Sequence, residues 1–461
     1  MTNSLFRKKS IAAFKAHDQG QLTQTLGAFD LMLLGVGAIV GTGIFILPGT
    51  IAAEHAGPGI VFSFIIAAIV CAFAAMCYSE FASAIPVTGS AYTYSYVVFG
   101  EFIAWLIGWS LVLEYGLAVA AVSTGWSAYF VSFLEGFNIH LPKVLTGSFN
   151  LDAGTYINLP AIIIIFLIAM MLTKGVKESA RLNTIMVFIK VGVVLLFIIV
   201  GAFYVKPDNW APFTPFGFSG VLSGAALVFF AFLGFDAVSS AAEEVKKPQR
   251  NMPLGIIGSL AICTVLYVLV SLVLTGMVPY TDLNVGNPVS FAMSIVHLDW
   301  VSGFISLGAI VGMTTVILVM LYGSTRLSYS FARDGLLPKV MSDIDEKHHT
   351  PVKNTWITAV IIAICAGFIP LDQLAALVNM GTLLAFTVVS LGVLFLRKRK
   401  DLPKDRFKVP FFPIVPIISF ILCIFLITQL TPYTWIAAAI WIVIGIIIYF
   451  LYGRKHSSLN Q

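Results

Sequence analysis

The sequence predicts an all-α integral membrane protein with about twelve transmembrane helices. Three observations lead to this prediction: the 461-residue chain is 59% hydrophobic, only 11% of it is charged, and its mean hydropathy is +0.95. A soluble domain carries roughly 25% charged residues. A spanning helix needs about 20 mostly apolar residues. The chain contains about twelve such stretches, which begin near residues 27, 58, 100, 156, 182, 218, 254, 301, 354, 373, 411 and 433.

The basic residues predict how these spans are oriented. With both termini placed inside, 24 of the 27 Lys and Arg residues fall on the cytoplasmic side, where positive loops are retained. The outer loops hold Lys143 and Lys206, and Lys190 lies within a span. We therefore expect a multi-pass protein of the cell membrane, with both termini cytoplasmic and the lipid bilayer as its surroundings.

Composition also excludes several function classes. The net charge of +5 follows from the topology, so no nucleic-acid partner is expected. None of the seven histidines lies deep in a span, and no nucleophile is paired with a base, which argues against an enzyme and a metal site. The sequence says nothing about a small membrane subunit as a partner.

Two spans contain residues that interrupt helices. The first includes "AIVGTGIFILPGT", residues 38–50, and the sixth includes "FLGFD", residues 232–236. They are five helices apart and run in opposite directions, which is typical of inverted repeats with a substrate site between two broken helices. Within a single transmembrane domain, 1–461, we expect one repeat at 27–204, a second at 218–396, and two added helices at 411–453.

A broken helix in the bilayer predicts a binding site. Unwound backbone is tolerated only where protein or water surrounds it. Its free N–H groups favour a carboxylate, and its free carbonyls accept hydrogen bonds from an ammonium group. The pair of groups indicates an amino-acid site. The alternative is that Gly and Thr only allow close helix packing.

Lys190 is an ionisable residue that the sequence places near the centre of the membrane. It follows Arg181 by nine residues, or about 13 Å along a helix, in a hydrocarbon core about 30 Å thick. An ionisable residue at this depth is a functional candidate. We consider two interpretations: Lys190 carries the coupling proton, or carbonyls of a neighbouring broken helix hold it in place.

Two acidic residues and one aromatic residue are further candidates. Glu114 and Asp236 lie within spans, where each could carry a proton, contact a cationic substrate, take part in gating or brace a helix. Phe230 comes just before the second interruption and could close over a substrate. Glu80 and Glu101 lie near span ends and are expected at the membrane interface.

Four longer segments resemble one transporter family: "FDLMLLGVGAIVGTGIFILPG", "AGPGIVFSFIIAAIVCAFAAMCYSEFASAIPVTGSAYTYSY", "FFAFLGFDAVSSAAEEVKKPQRNMPLGI" and "RLSYSFARDGLLPK". The chain is similar to members of the amino acid–polyamine–organocation superfamily, in particular bacterial homologues of cationic amino acid transporters. The resemblance implies a leucine-transporter-like fold of five plus five inverted helices and two C-terminal helices.

The resemblance also implies roles for individual residues. Lys190 takes the place of sodium, which implies protons as the coupling ion and no cofactor, and Asp236 matches an acidic residue of relatives. The substrate carboxylate would bind the backbone of Gly41, Thr42 and Gly43. The amino group would bind the carbonyls of Ile39, Phe230, Ala231 and Leu233.

These expectations combine into one functional hypothesis. The chain would be a proton-coupled importer of neutral or branched-chain L-amino acids that works by alternating access. The alternatives are a carrier of cationic amino acids, for which Glu114 would face the substrate, an obligate amino-acid exchanger, and a membrane sensor that binds without transporting.

Overall fold

A computed structural model describes residues 6–8, 26–85, 90–174, 180–240, 245–345, 350–399 and 402–458. Over these residues the backbone is helical, and β pairing is limited to three isolated bridges. The α-helices in chain order are α1 (Ala28–Ile39), α2 (Thr42–Phe45), α3 (Leu47–Ile51), α4 (Ile60–Ala84), α5 (Ser90–Val98), α6 (Glu101–Glu135), α7 (Leu159–Thr173), α8 (Ala180–Ala202), α9 (Gly217–Val228), α10 (Ala237–Ser240), α11 (Pro248–Met277), α12 (Pro288–Ile295), α13 (Asp299–Arg333), α14 (Val352–Phe368), α15 (Leu371–Leu396), α16 (Ile414–Thr428), α17 (Pro432–Ile448) and α18 (Arg454–His456).

The helices fall where the apolar stretches predict them. Seven helical stretches of the described chain have the length and composition to cross a membrane, and five shorter helices of 10–17 residues are also apolar. The all-α class is therefore confirmed for the described residues, and the count of twelve spans remains a prediction. The largest difference is α11, which starts at Pro248 rather than near 254 because proline fits the first turn of a helix and adds a polar extension.

α6 is central to the helix packing and lies against α13 and α15. α11 packs against α1 and α4, α4 also packs against α9, α8 against α13, and α7 against α14. Small residues allow these close approaches: a Cβ placed on Gly35 of α1 would lie 2.4 Å from Ser259 Oγ of α11. The bundle is thus held by tight contacts between helices that are distant in sequence.

α8 shows how the helices divide between protein and lipid. Its buried residues, Val187, Lys190, Val194 and Phe197, recur every three or four positions and form one stripe, whereas Phe188 is 58% exposed on the other face. This is the spacing of one face of an α-helix. Lys190 therefore points into the bundle and away from lipid.

Arg7 and Ser457, close to the first and last residues that the structure describes, lie at one end of the bundle, which we call the terminal face and define by Arg7, Glu101 and Ser457. The Glu101 N–H group donates to the Arg7 carbonyl at 3.0 Å, and Ser457 Oγ donates to Glu101 Oε2 at 2.8 Å. The Glu101 carboxylate also accepts from Tyr96 and Tyr449. It is completely buried although it begins α6.

A second buried carboxylate links α4 to α15. Arg397 Nε donates to Glu80 Oε1 and Arg397 Nη2 to Glu80 Oε2, both at 2.8 Å. The Val409 N–H group adds a third bond at 2.7 Å. Glu80 and Glu101 thus lie near helix ends as expected, but both are buried and bonded within the protein. The spacing along the chain could not show this, because the partners of Glu80 are more than 300 residues away.

Candidate functional site

The first predicted interruption is a true break in the helix. α1 ends at Ile39, Val40 is extended with ψ 100°, and Gly41 has φ −153° and ψ −137°. The Val40 N–H group still bonds to Val36, while the Ile44 and Phe45 N–H groups bond to Gly41. The unwound residues are therefore Val40 and Gly41, and Thr42 and Gly43 already belong to the first turn of α2. The break begins one residue earlier than "GTG" suggests.

The second predicted interruption is longer. α9 ends at Val228, a 3₁₀ turn covers Phe229–Phe232, and Leu233 is extended before α10 begins at Ala237. Gly234 has φ +108°, a conformation that L-residues with a side chain rarely adopt. A glycine is required there, so the "FLGFD" prediction is confirmed as a break.

The two breaks lie directly against each other. A Cβ placed on Gly43 would lie 2.5 Å from Ala231 Cα, and one placed on Gly234 would lie 2.9 Å from the Ala38 carbonyl carbon. In each pair a glycine of one broken segment packs on the backbone of the other. The structure thus brings together the residues proposed for the two ends of an amino acid. They are Ile39, Gly41, Thr42 and Gly43 from the first break, and Phe230, Ala231 and Leu233 from the second.

Lys190 reaches the first break. Where α1 stops, the carbonyls of its last turn lose their partners within the helix. The Lys190 ammonium group donates to one of them, the Gly37 carbonyl, over 2.7 Å, and the side chain is fully buried. This is the contact that the bracing interpretation requires. It leaves the proton-coupling interpretation open, because a group that carries a proton also needs a fixed position.

Tyr267 is a residue of this site that the sequence analysis missed. Its hydroxyl lies 3.1 Å from the Ile39 carbonyl oxygen and 2.6 Å from the Ala231 carbonyl oxygen, so it bridges the two breaks. One hydroxyl has one proton and can donate to only one of them at a time. Because the Phe230 carbonyl also accepts from the Leu233 N–H group at 3.2 Å, three of the four carbonyls expected to bind an amino group are already in contact with a donor.

Asn379 of α15 is a second missed residue. Its Nδ2 donates to the Ala226 carbonyl at 2.8 Å and to the Leu227 carbonyl at 3.1 Å, near the end of α9. These carbonyls lie just before the 3₁₀ turn, where regular helical hydrogen bonding changes. No signal in the sequence identifies Tyr267 or Asn379, because each is one of several polar residues in a long, uninterrupted helix and nothing in the local pattern distinguishes it from the others.

α6 and α13 enclose the first break from the other side. Thr42 Oγ1 lies 3.4 Å from Met313 Sδ, and a Cβ on Gly41 would lie 3.2 Å from Val316 Cγ2. A Cβ on Gly125 of α6 would lie 2.9 Å from Thr42. The Thr42 side chain is almost completely buried, so this part of the break is shielded from bulk solvent.

Comparison with known proteins identifies the family that has this architecture. The family model described as amino acid permease matches residues 26–458. The chain belongs to the amino acid permease family. This confirms the resemblance to the amino acid–polyamine–organocation superfamily, and it makes the chain a membrane transporter.

The names of this transporter's relatives refer to different substrates. It is 56% identical to the methylthioribose transporter of Bacillus subtilis and 53% identical to the branched-chain amino acid permease BcaP of the same organism, in both cases over the full length of both chains. It is 40% identical to the vacuolar cationic amino acid transporter 4 of Arabidopsis thaliana, over 86% of this chain and 67% of the relative.

The two acidic candidates of the transporter lie together beside the second break. Asp236 follows Gly234 and Phe235 and accepts from the Tyr115 hydroxyl at 3.1 Å. Glu114, the neighbour of Tyr115 in α6, is 4% exposed and interacts electrostatically with Asp236. The structure therefore separates them from Lys190, which bonds to the first break.

Proposed function

We propose that this chain is a secondary active transporter that imports neutral or branched-chain L-amino acids together with protons by alternating access. The observation that carries the proposal is the meeting of two broken helices, each with a glycine packed on the backbone of the other. Such a junction presents donors and acceptors of the main chain side by side, which matches the two charged ends of an α-amino acid. The family supplies the class, amino acid transport.

The proposed binding geometry uses the main chain of both breaks. The substrate carboxylate accepts from the N–H groups of Gly41, Thr42 and Gly43, because residues at a helix start have no partner in a preceding turn. The ammonium group donates to the carbonyls of Ile39, Phe230, Ala231 and Leu233. When the substrate binds, the Tyr267 hydroxyl gives up its place on one of the carbonyls it now contacts.

We also propose that residues 27–204 and 218–396 form inverted repeats within twelve spans. The helix contacts support this. In the two repeats α1 corresponds to α9, α4 to α11, α6 to α13 and α8 to α15, and pairs of helices that pack in one combination also pack in the exchanged combination. The packing of α1 on α11 corresponds to that of α9 on α4, and the packing of α8 on α13 corresponds to that of α15 on α6. Helices α16 and α17, within 411–453, are the addition.

The terminal face is assigned to the cytoplasm in this proposal. Arg7 and Ser457 meet there at Glu101, and the segment that follows Arg333 reaches the same face, where the Ser458 N–H group donates to the Asp334 carbonyl at 3.0 Å. Positive loops are retained on the cytoplasmic side. The protein then lies in the cell membrane with its termini inside.

The choice of substrate rests on the relatives and on the position of Glu114. A branched-chain permease is 53% identical over the full chain, which supports a neutral side chain. A cationic side chain would need a carboxylate that faces it, whereas Glu114 and Asp236, beside the second break, interact with each other.

Methylthioribose is a second candidate substrate, because the relative with that name is 56% identical over the full chain. Methylthioribose has neither a carboxylate nor an ammonium group, so it would bind by its hydroxyls and its thioether. Met313 Sδ next to Thr42 is a polarisable neighbour of the kind that a thioether prefers.

A thermal-shift screen tests the substrate. The purified transporter is heated with each of the twenty L-amino acids, with D-leucine and with methylthioribose. A ligand at about 100 times its Kd stabilises the folded state by about 2.7 kcal/mol. We expect L-leucine, L-isoleucine and L-valine to raise the Tm and D-leucine to have no effect. Stabilisation by methylthioribose alone, or by arginine and lysine alone, would overturn the choice.

Transport assays in proteoliposomes test the coupling. With a more acidic exterior, a proton symporter accumulates substrate inside vesicles that contain no substrate at the start. An obligate exchanger takes up labelled substrate only when unlabelled substrate is present inside, and a sensor shows binding without uptake. Substrate accumulation that does not depend on the pH gradient would contradict proton coupling.

A further inference from the structure

A group of buried polar side chains lies beside the second break, on the path from Gly234 toward the terminal face. Tyr94 of this group is on α5, and α5 reaches that face through the bond from Tyr96 to Glu101. We call the group the acid chamber. Its members are Tyr78 of α4, Ser90 and Tyr94 of α5, Glu114 and Tyr115 of α6, Asp236, Ser239 of α10, and Thr382 of α15.

Four polar atoms of the acid chamber have no partner in good hydrogen-bond geometry among the residues that the structure describes, although Tyr78 interacts with Ser90, Tyr94 with Ser239 and Glu114 with Thr382 over a looser geometry. The four atoms are Tyr78 OH, Ser90 Oγ, Tyr94 OH and Glu114 Oε2, and each belongs to a side chain that is at most 5% exposed. Leaving one buried polar atom unbonded costs about 1–3 kcal/mol. Four of them in one place indicate a ligand that bonds to several at once. Water fits, since a buried water makes about three such bonds.

The charge of the chamber comes from two carboxyl groups. The titratable groups that face the pair are Tyr78 from α4, Tyr94 from α5 and Tyr115 from α6, while α15 contributes the uncharged hydroxyl of Thr382. Each of the three tyrosines interacts electrostatically with Asp236. Two ionised carboxylates at close range in a low-dielectric interior repel each other, and such pairs commonly titrate as a unit that holds one proton.

We propose that Glu114 and Asp236 share one exchangeable proton, bridged by water in the acid chamber, and that this proton is taken up and released once in each transport cycle. The inference rests on the proposed function, and the proton is additional to the one assigned to Lys190. On release, the O–H bond of the protonated carboxyl group breaks and the proton passes to chamber water, leaving both groups as carboxylates. Uptake is the reverse step.

The two carboxyl groups are attached to parts of the backbone that differ in regularity. Glu114 belongs to the uninterrupted helix α6, whereas Asp236 lies two residues after Gly234, where the helix is broken. Rotation at the break changes the position of Asp236 against a fixed Glu114. A change in the conformation of α10 therefore changes how well the pair retains the shared proton.

Infrared titration of the purified protein tests the shared proton without any transport. A protonated carboxyl group has its own C=O stretching band. We expect wild-type protein to show a band of a buried carboxylic acid, and Glu114→Gln to lack it. Glu135→Gln is the matched control, because Glu135 is an exposed carboxylate on the same helix. A band that remains in Glu114→Gln and in Asp236→Asn would overturn the proposal.

Steady-state accumulation in proteoliposomes counts the coupled protons. With the membrane potential held at zero, each proton coupled to one substrate contributes about a factor of ten for a pH gradient of about one unit. Two protons give a limit of about a hundredfold in the wild type, and Glu114→Gln should reach only about tenfold. Asp236→Asn is the second variant, because its amide oxygen can still accept from Tyr115. Thermal unfolding checks that both fold.

Three results would change the conclusion in different ways. Equal accumulation by wild type and both variants would overturn the second proton. Uptake that requires sodium or potassium in the wild type and loses that requirement in Glu114→Gln would show that the chamber holds a metal cation, which also overturns it. No pH-driven accumulation in the wild type would contradict the proposed function, while the infrared band would still report on the pair.

Discussion

The two broken helices of this transporter meet at one place but are stabilised in different ways. The first break unwinds two residues and is held by side chains that donate to its free carbonyls, Lys190 to Gly37 and Tyr267 to Ile39. The second break passes through a 3₁₀ turn, is braced by Asn379 before the turn, and carries Asp236 after it. Both breaks receive donors, and Tyr267 contacts both, but the first has a cationic donor and the second has an acidic residue beside it.

This difference suggests that the two breaks have different functions. A positive ammonium group beside free carbonyls holds the first break in place near the proposed carboxylate site. A carboxyl group on the far side of a flexible glycine links the second break to α6. In this interpretation the first break mainly positions the substrate, and the second mainly couples its conformation to protonation. The predictions below separate these roles, beginning with the contact that both breaks share.

Gly43→Ala should have the largest effect, because it affects both breaks at once. The new Cβ would lie 2.5 Å from Ala231 Cα, and a backbone atom cannot move aside as a flexible side chain can. We expect a loss of stability of about 1–3 kcal/mol and no measurable uptake. Gly192→Ala is the control, since a Cβ at that position has no neighbour within 4 Å. Normal uptake by Gly43→Ala would show that the breaks do not need this contact.

Lys190→Gln tests the donor specific to the first break. It removes the ammonium group from the Gly37 carbonyl, and we expect pH-driven accumulation to fall from about a hundredfold to at most about the tenfold level that one remaining coupled proton supports at a gradient of about one pH unit. The exposed Lys206 provides Lys206→Gln as a matched control. Uptake against a gradient with an unchanged pH dependence would assign Lys190 a bracing role only.

The apolar stretches and the glycines allowed most of this architecture to be predicted. A helix in lipid must satisfy its own backbone, so an apolar length of about 20 residues indicates a span. Gly234 could be predicted as a break because glycine weakens a helix, and its positive φ explains why a glycine is needed there. The position of the first break was predicted within one residue. Its exact limits depend on which carbonyls find partners, and sequence spacing does not contain that information.

The partners of the breaks could not be predicted for the same reason. Tyr267 and Asn379 act through atoms that meet only once α11 and α15 have packed against the broken helices. Glu80 was expected at the membrane interface, and its bonds to Arg397 and Val409 became visible only in the fold. Pairing across hundreds of residues is a property of the packing and not of the local pattern.

Tyr267→Phe sharpens the comparison, because the hydroxyl touches both breaks while the ring would stay packed on Phe64 and Phe232. Removing one donor from a buried acceptor costs about 1–2 kcal/mol, so uptake should fall about five- to thirtyfold. Tyr156→Phe, at an exposed tyrosine, is the control. If the hydroxyl mainly competes with the substrate, the variant will instead bind substrate more tightly in the thermal-shift assay.

Asn379→Leu should have the smallest effect, because it changes only hydrogen bonds to the end of α9, before the second break. It leaves the Ala226 and Leu227 carbonyls without the amide donor and should lower stability by about 1–2 kcal/mol. Asn209→Leu removes a similar bond, to the Gly276 carbonyl, away from both breaks. If the second break controls coupling, Asn379→Leu will reduce pH-driven accumulation more than Asn209→Leu at equal loss of stability. Equal losses of accumulation would mean that Asn379 only supports the fold, and that the two breaks differ in structure without differing in function.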